Sequence, residues 1–117
     1  MKLVITENIE QDLNKLGMSI DQVIMFLKKT PQWSNKLIEL CSPLPDTIVY
    51  KAYLWPLHRG IFFVVVTKWL IYPVYVGDKG DKIGNNITKQ VVAKYVLAWQ
   101  EIFLMNINRK LFKIRHF

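Results

Sequence analysis

The chain has 117 residues, the length of one ordinary domain with one core, and its 51% hydrophobic and 13% aromatic content excludes an intrinsically disordered polymer. Sixteen Lys and Arg against nine Asp and Glu leave a net charge of +7. That charge draws polyanions (nucleic acid, an acidic protein or an anionic membrane surface) and equally suits a soluble protein with surplus surface lysine.

KLVIT, residues 2–6, is a short strand whose Thr6 can cap the helix that follows; Ile9, Leu13 and Leu16 share one face of that helix and Gly17 stops it. The opening MKLVITENIEQD reaches acidic residues at once and has no apolar signal-peptide core, which points to the cytoplasm. Ser19-Ile20-Asp21-Gln22 is a capping box, with Met18 placed to staple onto Val23 and an apolar stripe of Ile20, Val23, Ile24 and Leu27. This second helix ends before Pro31. Trp33 to Leu40 reads as a further turn or two of helix, and SPLPD, residues 42–46, as a rigid loop. The single cysteine, Cys41, excludes an internal disulfide and a thiol-rich metal site, fits a reducing compartment, and reads as a buried inert thiol.

Thr47 to Trp55 alternates Ile48, Tyr50, Ala52 and Leu54 with Val49, Lys51, Tyr53 and Trp55, the period of a strand. The turn PLHRG leads to IFFVVV, continuous enough for a central strand covered on both sides. Ile61 to Val76 is the stretch that raises a membrane span. At 16 residues, with Lys68 near its middle and Pro73 beyond, it falls short of the roughly 20 needed and reads instead as buried strands.

GDKGDKIGNNITK, residues 77–89, then joins LIYPVYV to a long helix capped by Asn86 or Thr88. Gly77, Gly80 and Gly84 free the backbone to turn, and Lys79, Lys82 and Lys89 set positive charge beside a helix N-terminus that already favours anions. The segment reads as a phosphate-facing elbow, or as a solvated connection in which Asp78 and Asp81 offset the lysines. The helix carries an apolar face of Val91, Val92, Tyr95, Ala98, Trp99, Ile102 and Phe103, and LFKIRHF at the end is a strand or a frayed tail. The order β-α-α-β-β-β-α describes a small α+β domain over residues 1–117: an antiparallel sheet of three to four strands with two N-terminal helices and a C-terminal helix on one face, the other face open.

The phosphate-binding G-x-x-x-x-G-K, the dinucleotide G-x-G-x-x-G, H-E-x-x-H and C-x-x-C are all missing, and His58 and His116 stand far apart, so neither a metal nor a cofactor is expected. Cations and tyrosines cluster at strand ends instead. Lys51 and Tyr53 share a strand face, His58 and Arg59 sit in the turn after it, and Lys79 and Lys82 follow the last long strand. Antiparallel pairing would bring residues 51–59 and 76–82 to one cationic edge. A phosphodiester can be cleaved without metal if a base removes the 2′-OH proton, a cation stabilises the phosphorane and an acid protonates the leaving oxygen. Lys, Arg, Tyr and His can divide those tasks, while each of these residues alone also suits a solvated charge or a packing role.

KLVIT, two helices, a Pro-containing loop, three strands and YVGDKGDKIGNNITKQVVAKY together resemble the RelE/ParE superfamily of type II toxin-antitoxin toxins, in its HigB-like and RelE-like branch. The elements that carry the likeness are LIYPVYV, Lys79 or Lys82, the Asn86-Ile87-Thr88 cap and the helix through Phe103. Arg59, just before Gly60, stands in for the arginine the family places within the next strand, and Arg115-His116-Phe117 echoes a C-terminal His-aromatic ending. The resemblance implies a metal-independent, ribosome-associated mRNA endonuclease that inhibits translation, held in check by a cognate antitoxin protein and needing no cofactor or membrane. Its site residues would be Lys51, Tyr53, Arg59, Lys79, Lys82 and His116. The alternatives are a gyrase-targeting ParE-type toxin and a noncatalytic interaction module whose Trp33, Trp55 and Trp69 meet a partner.

Overall fold

The computed structural model describes residues 1–29, 37–40, 46–55, 58–65, 68–78, 80–83 and 87–117. In chain order the elements are β1 (Lys2–Thr6), α1 (Glu7–Lys15), α2 (Ile20–Lys29), β2 (Leu37–Leu40), β3 (Thr47–Trp55), β4 (His58–Val65), β5 (Leu70–Asp78), α3 (Lys89–Asn108) and β6 (Phe112–His116). The class is α+β.

Local chemistry accounts for the helix ends. Gln22 N–H donates to Ser19 Oγ at 3.2 Å while Ser19 N–H donates to Gln22 Oε1 at 2.8 Å, so the capping box starts α2 as read from sequence. Gly17 stands at φ +71° just past α1, the left-handed position that glycine fills at least cost. Thr88 Oγ1 accepts from Val91 N–H at 3.2 Å and caps α3; Asn86, the other capping candidate, lies outside the described residues. Thr6 precedes α1 but its hydroxyl goes to Asn8 Oδ1 at 2.6 Å and not to the helix backbone.

Among the described residues, six strands form one sheet in the order β2-β3-β4-β5-β1-β6. Two more strands are present than the largest number expected, and the sheet is mixed. β3, β4 and β5 are an antiparallel meander, but β1 runs parallel to β5, with Lys2 opposite Leu70 and Leu3 opposite Ile71. LFKIRHF supplies β6, which covers the free edge of β1 through five registered pairs from Lys2–His116 to Thr6–Phe112. Leu37 to Leu40, expected as helix, is the edge strand β2 paired with β3; a ladder of backbone hydrogen bonds outweighs the weak local preference of LIEL.

The expectation of helices on one face only is also corrected. α1 and α2 bury Ile9, Leu13, Val23, Ile24 and Leu27 against Leu3, Ile5, Leu54 and Phe62. α3 closes the opposite side, where Val92, Val96 and Trp99 meet Val4, Val49, Ile61, Phe63 and Tyr75. The near-continuous apolar run of β4 is what a doubly covered strand requires, since Ile61, Phe62 and Phe63 are all 0% exposed.

A bulge aims the end of β5. Ile61 pairs with Tyr75 and Phe62 with Pro73, which leaves Val74 extra and turns Tyr72, Val74 and Tyr75 all toward α3. It also explains how Pro73, with no N–H to give a ladder, sits in an interior strand. Beyond the bulge, Val76 faces α1 and α2, while Gly77 lies opposite Arg59. Among the described residues no helix is long and apolar enough to cross a membrane.

Candidate functional site

The β3–β4 hairpin and the N-terminal end of α3 meet at one corner of the sheet. Lys51 and Tyr53 alternate with Ala52 and Leu54, whose side chains belong to the α1/α2 core, so both project on the α3 side. Arg59 lies directly opposite Tyr53 across the ladder. Its guanidinium carbon is 4.5 Å from the centre of the Tyr53 ring, and Lys51 Nζ is 5.2 Å from the same centre. Two cations share one aromatic ring. Tyr53 is 36% exposed, so the ring and its attendant charges border solvent.

Each cation is also steered by the backbone. Lys51 Nζ donates to the carbonyl of Ile87 at 3.2 Å, which ties the middle of β3 to the residues that lead into α3. Arg59 Nη1 donates to the carbonyl of His58 at 3.2 Å. The contact between Lys51 and Ile87 spans 36 residues and carries no local sequence signal. The group has the parts that phosphate recognition uses: a planar guanidinium and an ammonium as donors, and an aromatic face as a stacking surface.

Gly77 completes the corner for a steric reason. A methyl group at Gly77 would run into the Tyr75 hydroxyl and lie 2.8 Å from Asp81 Oδ2, so only glycine lets that phenol lie across the strand end. The turn after β5 is closed by Asp81 N–H to the carbonyl of Asp78 at 3.1 Å and by Ile83 N–H to Asp81 Oδ1 at 3.2 Å. Lys82 lies in this turn, exposed, at the same end of the sheet as Arg59. Lys79 lies outside the described residues.

The turn is less cationic than its lysines suggest. Asp12 of α1, Asp78 and Asp81 line a pocket of about 430 Å³ together with Lys15 and Tyr75. Burial pushes the Asp12 carboxyl above its ordinary value of 3.8; Lys15 opposes the shift and the charge of Asp81 adds to it. Asp81 thus acts as a turn former on the acidic side of the elbow.

His116 stands apart from this group. It pairs with Lys2 on β6, the edge strand, and Lys2 pairs with Leu70 at the end of β5 remote from Gly77. Three strands, β4, β5 and β1, separate β6 from β3, a lateral distance of roughly 19 Å at about 4.8 Å per strand. The corner therefore holds Lys51, Tyr53 and Arg59, has Lys82 at its rim, and leaves out His116. Tyr72, on the same sheet face, is a packing group: its ring stacks on Phe103 at 3.9 Å between centres and burial pushes its phenol up to about 12.

Comparison with known protein families, with curated proteins and with solved structures finds no match.

Proposed function

We propose that the protein is the toxin of a type II toxin-antitoxin pair, a metal-independent endoribonuclease that cuts ribosome-bound mRNA in a RelE-like manner and is restrained by a cognate antitoxin. The observation that carries this reading is the convergence of Lys51 and Arg59 on the ring of Tyr53 beside the N-terminal end of α3. Arg59 and Lys51 hold the scissile phosphate and offset the charge that grows on it. Tyr53 packs a neighbouring base, or its hydroxyl takes part in moving the 2′-OH proton to the leaving 5′ oxygen as the 2′-oxygen–phosphorus bond forms and the phosphorus–5′-oxygen bond breaks. Lys82 extends the cationic rim along the RNA backbone, and Lys79 adds charge to the same segment of chain. The chain order of two helices after the first strand, then the antiparallel strands β3 to β5 and the long helix α3, supports the RelE/ParE-like reading of the fold, to which β2 and β6 add an edge strand on either side.

Induced expression without an antitoxin should arrest growth. The Lys51→Ala, Arg59→Ala double variant should relieve the arrest, with RNA cleavage on translating ribosomes slowed on the order of a hundredfold or more. Normal growth of cells making soluble wild-type protein overturns the proposal.

A second reading, a noncatalytic interaction module of the same fold, draws on the outer side of α3, where Leu97 is 70% exposed and Leu104 49%. Intact RNA on translating ribosomes, together with a stable complex with DNA gyrase or another protein, selects this one. Of the tryptophans that sequence reading assigned to such an interface, Trp69 is exposed, whereas Trp33 and the side chain of Trp55 lie outside the described residues.

A further inference from the structure

The corner of the sheet diagonally opposite Tyr53 brings an exposed indole, Trp69, to the same end of the sheet as Lys2, Lys68 and His116. Trp69 is 61% exposed and holds φ at +48°, left-handed backbone that a bulky side chain rarely adopts and that glycine or asparagine adopts at lower cost. Its carbonyl accepts from the backbone N–H of Lys2 at 3.1 Å, which pins the turn into β5 against β1. Lys2 lies opposite Leu70 on one side and His116 on the other. Lys2, Lys68 and His116 are all exposed.

Two of these side chains, Lys2 and His116, share a face, and Trp69 and Lys68 lie in the turn at the same end of the sheet. Leu3, next to Lys2, packs in the α1/α2 core, and Arg115, next to His116, bonds Asp21 of α2 at 2.6 Å. Alternation then places Lys2 and His116 on the α3 side, as Lys51 and Tyr53 are, with Ile114, 47% exposed, on the same face of β6. An exposed indole adds little to the core, and its backbone conformation costs stability that a smaller residue would not cost. Strain kept at a solvent-facing aromatic residue at the cationic end of the sheet is a reason to look for a ligand there.

We propose that Trp69, with Lys2, Lys68 and His116, forms a second contact for single-stranded RNA, the indole stacking on a base and the flanking side chains meeting the adjoining phosphates. The assignment rests on the RNA-directed reading of the Tyr53 corner and extends it, because it makes the protein a two-point reader of a strand. Stacking plus phosphate contact suits a nucleic-acid strand better than an acidic peptide, since each nucleotide offers a flat face and a charge side by side. Leu70 and Gly77 are the ends of seven residue steps of β5, roughly 20–25 Å, so a strand must run over several nucleotides to touch both corners.

The test measures fluorescence anisotropy of end-labelled single-stranded RNA with the full-length protein, comparing oligonucleotides of about 12 and about 4 nucleotides. W69G should bind the longer RNA roughly tenfold more weakly, W69F should recover most of the affinity, and the shorter RNA should not distinguish them. W69G should melt at or above the wild-type temperature, because glycine relieves the left-handed strain. If the wild-type chain binds neither RNA, this proposal falls, while the endoribonuclease reading, whose substrate is mRNA on the ribosome, stands or falls on cleavage with translating ribosomes. If the wild-type chain binds, the Lys51→Ala, Arg59→Ala variant weakens binding and W69G does not, the second contact alone is overturned and the indole is left to a protein partner. A W69G variant that melts well below the wild type also overturns it, by giving Trp69 a role in the fold.

Discussion

At the scale of single residues, charge in this protein is placed by its neighbours more than by its number. Lys51 and Arg59 sit over one tyrosine ring and are each held by a backbone carbonyl, which fixes their direction before any ligand arrives. Asp12 shows the opposite case, a carboxylate whose surroundings disfavour its charge. Because its folded value lies above 3.8, the native state holds the proton more tightly than the unfolded chain, and stability falls as pH rises through the window just above 3.8 before levelling. Asp12→Asn removes that penalty. Its melting temperature should exceed the wild type's at pH 7, and the difference should vanish near pH 3, where the wild-type carboxyl is protonated in both states; an advantage that persists unchanged at pH 3 argues against burial as the cause.

At the scale of elements, the α3 N-terminus is the part on which the site depends. Thr88 caps the helix, and the residue before it, Ile87, offers the carbonyl that Lys51 grips. A cap lost here therefore has two effects. Thr88→Ala should cost about 1 kcal/mol of stability and also lower RNA affinity, by freeing Lys51 from its anchor. Ser19→Ala, which breaks the capping box of α2 on the far side of the sheet, should cost a similar amount and leave RNA affinity unchanged. Thermal melts and binding isotherms on the two variants separate a cap that only stabilises from one that also positions the site.

At the scale of the whole molecule, the sheet is held by pairings between distant parts of the chain. β1 is an interior strand only because β6 returns to it, and the two chain ends meet where the Met1 ammonium donates to the Phe117 carbonyl at 3.0 Å. Two ion pairs, Lys113 with Glu10 at 2.9 Å and Arg115 with Asp21, tie β6 to α1 and α2, though at their exposure each adds little. Removing residues 112–117 opens the edge of β1 and uncovers apolar surface around Val4. The shortened chain should lose at least about 2 kcal/mol, a fall in Tm on the order of 10 °C, and should self-associate through the new edge. A melt by circular dichroism and the mass of the shortened protein in solution check both; an unchanged monomer with an unchanged Tm is the contrary result.

Patterns confined to a few residues were legible in the chain itself. The capping box at Ser19–Gln22, the glycine stop at Gly17, the Thr88 cap and the alternation of β3 all depend on neighbours within about four positions, where side-chain chemistry and backbone geometry act directly on one another. The basic and aromatic residue types now found at the corner were legible as well, because Lys51, Tyr53 and Arg59 are read directly from the chain. The partners were not. That β1 lies parallel to β5, that Leu37–Leu40 is strand, that α3 covers the second face, and that His116 stands away from Arg59 are all settled by contacts between residues far apart in sequence. Such contacts form because hydrogen bonds and apolar surface must be satisfied somewhere in the fold, and a local pattern says that a strand needs a neighbour without saying which one.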